Sequence, residues 1–302
     1  MGGNVFYNTE SIKRENIEPT ITQFKLKLNE IFPKIDFNFN FLGSAGKKDI
    51  SNDIDLALSE SIFFTEKDKL NLIDLNIDEN QLRLAYIQIR KRVKTSTIKQ
   101  SKLRALINVI SHKLLDNEII TNDKNSGAGS LFCCFPQYNE KREQLNKTVQ
   151  IDINIGNLDW LNFSYYSKTY ENNIKGLHRT QLIVALFSYK NRTFRHGSGI
   201  FNHKIHKYEA NTPEEAILLL NKLYNLEFTR EILNDFFSIY NYILCLNKNE
   251  LYKIYDIYLK ILDSTRTDIP YMLQDYWKEN EERLQLTGNF LPENSNLYKF
   301  RK

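Results

Sequence analysis

Asp53 and Asp55, one residue apart, have the types and spacing best suited to chemistry in this sequence. They open the stretch Asp53-Ile54-Asp55-Leu56-Ala57-Leu58, whose start alternates polar and apolar like a half-buried strand. Side chains two apart on a strand leave the same face, about 7 Å from each other along the chain. Carboxylates placed like this repel one another unless a cation stands between them, and hard divalent cations take oxygen ligands. A third carboxylate from another strand would complete the site. Asp152 fits, because Val149, Ile151, Ile153 and Ile155 share one face and leave Gln150, Asp152 and Asn154 on the other. Asp159 is the next choice, but it lies past Gly156 where the alternation has ended.

Ahead of the pair runs Gly43-Ser44-Ala45-Gly46-Lys47-Lys48. Glycine lets backbone approach a phosphate closely, while the Ser44 hydroxyl and backbone N–H groups can donate to its oxygens. Gly46, Lys47 and Lys48 add conformational freedom and positive charge beside them. A phosphate-seating turn next to metal-binding carboxylates is equipped for moving a nucleoside monophosphate from a triphosphate to a hydroxyl. In such chemistry one divalent ion lowers the pKa of the attacking hydroxyl, and a second neutralises the departing pyrophosphate.

These segments resemble the DNA polymerase beta-like nucleotidyltransferase superfamily. Its signature is a Gly-Ser or Gly-Gly turn, a spacer, an Asp-x-Asp/Glu strand and a distant third acidic strand. The resemblance covers roughly 37–58 and 148–155. It implies that Gly43 and Ser44 seat the triphosphate, with Lys47 and Lys48 beside them, and that Asp53, Asp55 and Asp152 are the catalytic metal ligands. It further implies magnesium, with manganese as the alternative ion, and a nucleoside triphosphate (ATP among the choices) as substrate. Eight residues separate Ser44 from Asp53, slightly fewer than these families usually show. The long gap between Asp55 and Asp152 implies inserted helices, a layout more like the poly(A)-polymerase and oligonucleotide-synthase branches.

The elements that must carry these residues can be read from periodicity. Ile21, Phe24, Leu28 and Ile31 predict a helix over 19–32, with Pro19 at its first position. Phe37, Phe39 and Phe41 alternate with Asn38 and Asn40, which predicts a strand over 36–42 with one buried face. Leu82, Ala85, Ile89 and Val93 mark one helix, and Leu103, Leu106, Ile107, Ile110 and Leu114 another. Segments 131–135 and 148–155 read as an antiparallel hairpin. Beyond about residue 176 the chain reads as almost entirely helical. A helix spans 177–189, and Thr212-Pro213-Glu214-Glu215 is a capping box opening 214–225. Thr229 caps a helix to Leu246, and 249–262 and 269–286 follow.

Composition narrows the class. The chain has 302 residues, a net charge of +4, and 41% hydrophobic and 26% charged residues, values of an ordinary globular protein. Three cysteines supply no disulfide framework, and Cys133 and Cys134 read as core residues of a strand. No stretch approaches 18 apolar residues and the first residues hold no apolar run, which predicts a cytoplasmic protein with no membrane contact.

Secondary signals bear on partners. From Gln81 to Leu115 there is no acidic residue but nine basic ones: Arg83, Arg90, Lys91, Arg92, Lys94, Lys99, Lys102, Arg104 and Lys113. A one-signed stretch in a nearly balanced chain suits an RNA or DNA acceptor. Lys175-Gly176-Leu177-His178-Arg179 opens a helix. Related enzymes place triphosphate-binding basic residues on such a helix, which assigns Arg179 to nucleotide binding. The stretch from Arg195 to Gly199, with His203 and His206, reads as a substrate loop rather than a zinc site. The Gly-rich run from Asn125 to Ser130 lacks a Gly-Lys-Ser/Thr ending and reads as a connection.

The expectation is therefore an α+β protein. A mainly antiparallel nucleotidyltransferase sheet flanked by helices occupies 1–172, and a helical domain occupies 173–302. The expected activity is magnesium-dependent nucleotidyl transfer to a hydroxyl, with an RNA or DNA end favoured. Alternatives are synthesis of a cyclic or linear oligonucleotide messenger, nucleotidylation of a protein or small molecule, and a non-catalytic nucleotide- or nucleic-acid-binding protein.

Overall fold

A computed structural model describes residues 5–43, 45–65, 69–92, 98–122, 129–168 and 174–284. The protein is α+β, and the chain divides into two compact units, Met1–Ser164 and Tyr165–Lys302. No described helix is long and apolar enough to cross a membrane.

In the first unit the strands are β1 (Ile12–Lys13), β2 (Asn40–Phe41), β3 (Ile50–Ser51), β4 (Asp53–Ser59), β5 (Ile120–Thr121), β6 (Ser130–Tyr138) and β7 (Gln144–Gly156). The helices are α1 (Arg14–Ile31), α2 (Leu72–Leu75), α3 (Glu79–Arg92), α4 (Ile98–Leu115) and α5 (Leu158–Ser164). Five strands form one sheet in the order β2-β4-β7-β6-β5, while β1 and β3 pair separately. The sheet is mixed: β4 runs parallel to β7, and the other three pairings are antiparallel. Two-residue alternation sets its faces. Ile54, Leu56 and Leu58 of β4, Ile151, Ile153 and Ile155 of β7, and Leu131, Cys133 and Phe135 of β6 are buried together. Phe24 and Leu28 of α1 and Leu103, Leu106, Ile107 and Ile110 of α4 belong to the same core. The opposite face carries the polar residues of β4 and β7.

Two local expectations are corrected here. Helix α1 begins at Arg14, so Pro19 lies inside it. The apolar stripe extends one turn further back through buried Ile17, and that burial offsets the backbone hydrogen bond that Pro19 cannot donate. The strand expected over 36–42 is reduced to Asn40–Phe41. Asn38 N–H and its amide both turn back onto Asp36, breaking the extended run, and Phe41 is 41% exposed while Phe39 stacks on Phe24 and Phe37, and Phe37 meets Phe32 edge-on.

The second unit holds helices α6 (Leu177–Tyr189), α7 (Pro213–Tyr224), α8 (Arg230–Leu233), α9 (Phe236–Ile243), α10 (Lys248–Ser264) and α11 (Gln274–Leu284). It also holds an antiparallel meander of β8 (Arg192–Arg195), β9 (Gly199–Asn202) and β10 (Lys207–Ala210). The almost wholly helical expectation is thus corrected. Strands of four residues are too short to show alternation, and Arg192–Glu209 and Arg195–Tyr208 contacts across the meander are invisible in a local pattern. The Thr212 capping box forms as read, with Thr212 Oγ1 accepting from Glu215 N–H. The helix expected from Thr229 to Leu246 is broken, because Asp235 caps a new helix by accepting from Ser238 N–H at 2.8 Å.

Candidate metal centre

The parallel pairing of β4 with β7 decides which side chains meet. Asp55 lies directly opposite Asp152, and Asp53 opposite Gln150. Partners in register point to the same side of a sheet, so the three carboxylates leave one face. One oxygen from each of Asp53, Asp55 and Asp152 lies within 4.8 Å of the others, and all three side chains are half-buried. Asp152 Oδ1 accepts a hydrogen bond from Gln150 Nε2 at 2.7 Å.

Such crowding has an electrostatic signature. Burial, then the charges of Asp53 and Asp152, hold the Asp55 carboxyl well above the usual carboxylate range. Burial likewise pushes Asp152 up to about 7; the Gln150 hydrogen bond acts against the rise and the Asp53 charge adds to it. Three hard oxygen donors at this separation, with the Asp55 and Asp152 carboxyls raised by burial, fit magnesium or manganese. Among the described residues, no His or Cys joins the cluster.

No family model and no curated protein matches the chain.

The turn ahead of β4 abuts this cluster. Gly43 adopts φ +59°, and a Cβ there would lie 3.2 Å from Asp55 Oδ2. The turn is tied to β4 where Leu42 N–H donates to Asp55 O at 2.9 Å. Ser44 lies outside the described residues. Lys47 and Lys48 are exposed, and their carbonyls accept from Arg14, whose guanidinium also pairs with Asp49 at 2.7 Å. Arg14, at the first position of α1, therefore clamps the turn. Its sequence context carries no signal of that role, since the contact spans more than thirty residues.

Asp159 sits in the first turn of α5 rather than on a strand, and is not part of the carboxylate cluster. Arg179 belongs to the second unit, where it is 1% exposed and donates to Leu233 O and Thr180 Oγ1. Within the basic stretch, Lys113 donates to the carbonyls of Leu75 and Asn76 and lies over the Phe32 ring, and Lys99 pairs with Glu60 at 2.7 Å. Arg83, Lys91 and Arg92 are exposed on α3; Val93 and Lys94 lie outside the described residues. Residues 125–128 of the Gly-rich run also lie outside them. His203 bonds Thr193 within the β8–β10 meander. Cys133 and Cys134 are buried, and burial raises both thiols, so neither is poised as a nucleophile.

Proposed function

We propose that this chain is a divalent-cation-dependent nucleotidyltransferase acting on a hydroxyl at an RNA or DNA end. One observation carries the reading: Asp53, Asp55 and Asp152, from two strands distant in sequence, converge beside a glycine turn. A site of three partly buried carboxylates is unfavourable by itself, and a cation is the simplest partner that offsets it. Bound magnesium or manganese would supply charge neutralisation for the triphosphate and the attacking oxygen.

The chain's own residues have separable tasks in this reading. Asp53 and Asp55 would hold both metal ions, and Asp152 would hold the ion that activates the acceptor hydroxyl. Gly43 keeps the turn close to Asp55 without a side chain between them, and Lys47 and Lys48 place positive charge on its outer side. The new bond would join the acceptor oxygen to the α-phosphorus as the bond to pyrophosphate breaks, with the hydroxyl's proton passing to solvent water. Exposed Arg83, Lys91 and Arg92 favour a polyanionic acceptor.

The test is incubation with each labelled nucleoside triphosphate, magnesium or manganese, and RNA and DNA ends including tRNA. Label transfer that disappears in Asp53→Ala and Asp152→Ala is the expected result. Neither transfer nor pyrophosphate release with any acceptor would overturn the reading.

A further inference from the structure

Two rungs of the β4–β7 ladder place four side chains together: Asp53 opposite Gln150, and Asp55 opposite Asp152. Three are carboxylates, and the fourth is a carboxamide only 2% exposed. Gln150 Nε2 donates to Asp152 Oδ1 at 2.7 Å, and Gln150 Oε1 accepts from the Val5 backbone N–H at 2.9 Å. A backbone N–H only donates and a carboxylate only accepts, so together they fix which end of the amide faces which partner. Val5 is itself held. Thr148 Oγ1 donates to Asn8 O at 2.6 Å, and Glu10 N–H donates to Thr148 O at 2.9 Å, laying this segment along β7.

From this geometry we infer that Gln150 is a positioning residue for the carboxylate site, anchored by Val5 and acting through Asp152. It rests on the reading of that site as a divalent-cation centre. The amide restrains one Asp152 oxygen and leaves the other for the cation. A carboxylate at this corner would add a fourth negative charge, and an apolar side chain would strand both the Val5 N–H and the Asp152 oxygen. Only a neutral side chain with a donor at one end and an acceptor at the other satisfies both neighbours. Hydrogen-bond partners of metal ligands are commonly worth ten- to a hundred-fold in metal affinity.

The test uses Mn2+ alone as probe, titrated into the full chain and followed by calorimetry or by electron paramagnetic resonance of the free ion. Gln150→Met, similar in volume, is expected to weaken Mn2+ binding about ten-fold. In turnover, the metal concentration for half-maximal rate should rise similarly, with the rate at saturating metal largely restored. A merely structural role would lower the melting temperature and leave both metal readouts of the folded protein unchanged. Val5→Pro removes the anchoring N–H from a residue outside every named helix and strand, and is expected to weaken binding about three-fold as the amide is freed. Gln150→Met binding Mn2+ within two-fold of wild type would overturn the inference. Should that variant not fold, unchanged affinity in Val5→Pro would overturn it instead. Wild-type protein that binds no Mn2+ would remove the cation reading, and the inference with it.

Discussion

A methyl group placed on Gly43 would stand 3.2 Å from Asp55 Oδ2, in a backbone conformation with φ +59°. The turn and the first acidic strand are thus in direct contact, and the absence of a side chain is what permits it. Gly43→Ala should lower stability by about 1 kcal/mol through left-handed strain and also displace the Asp55 carboxylate. Gly46 provides the comparison: it has φ +72° but nothing within 4 Å of an added Cβ. Gly46→Ala should show the stability loss alone, while Gly43→Ala also loses Mn2+ affinity. Denaturant melts and Mn2+ titrations of both variants measure the difference.

Acidity of the cluster gives a pH dependence with a definite sign. Burial pushes Asp152 up to about 7 in the fold, well above the ordinary aspartate value of about 4, so the folded chain keeps a proton that the unfolded chain has released. Stability of the metal-free protein should therefore fall as pH rises from about 4 to about 7, and Asp55 adds to the slope. Asp152→Asn should flatten the slope and stabilise the metal-free protein at pH 8 by on the order of 2 kcal/mol, with Mg2+ no longer raising its melting point. A pH series of thermal melts with and without Mg2+ decides this; a wild-type melting point that climbs between pH 4 and 7 would contradict it.

The basic stretch divides into two kinds of residue. Lys113 seals the carbonyls at the end of α2 from its place over Phe32, so Lys113→Met should cost about 1 kcal/mol and leave polyanion binding intact. Arg83, Lys91 and Arg92 are exposed on α3. Replacing all three with Gln should leave stability within about 0.5 kcal/mol and flatten the dependence of RNA affinity on salt. Filter binding at several salt concentrations reads the slope.

Arg179 is buried against Leu233 O and Thr180 Oγ1 in the second unit. Arg179→Met should remove charge-assisted hydrogen bonds from a closed interior and lower stability by about 2 kcal/mol. The KM for triphosphate in the folded fraction should stay near wild type. A KM effect many-fold larger than the stability loss would return Arg179 to nucleotide binding.

Legibility in the sequence followed interaction range. The Asp53 and Asp152 strands and the Thr212 capping box were readable because their information lies within a few residues: alternation along β4 and β7, and reciprocal bonding between Thr212 and Glu215. Alternation misleads over 36–39 and on the burial of Phe41, because hydrogen bonding between Asp36 and Asn38 bends the chain and only Asn40 and Phe41 join the ladder with β4. The β8–β10 meander was missed because each strand is only four residues long. Alternation puts Gln150 on the face of Asp152, but the contacts of Arg14 with Lys47 and Lys48 and of Gln150 with Val5 carry no signal because they are remote in sequence.

For the carboxylate cluster the division is sharp. Two-residue periodicity by itself put Asp53 and Asp55 on one face of their strand, and Asp152 on the polar face of another, because a strand's geometry admits nothing else. That β4 and β7 are neighbours, that they run parallel, and that Asp55 stands opposite Asp152 are properties of the folded core. There the isoleucines and leucines of both strands pack against α1 and α4, and a one-residue slip in register would expose them. Burial of those apolar side chains fixes the register, and the register brings the three carboxylates together.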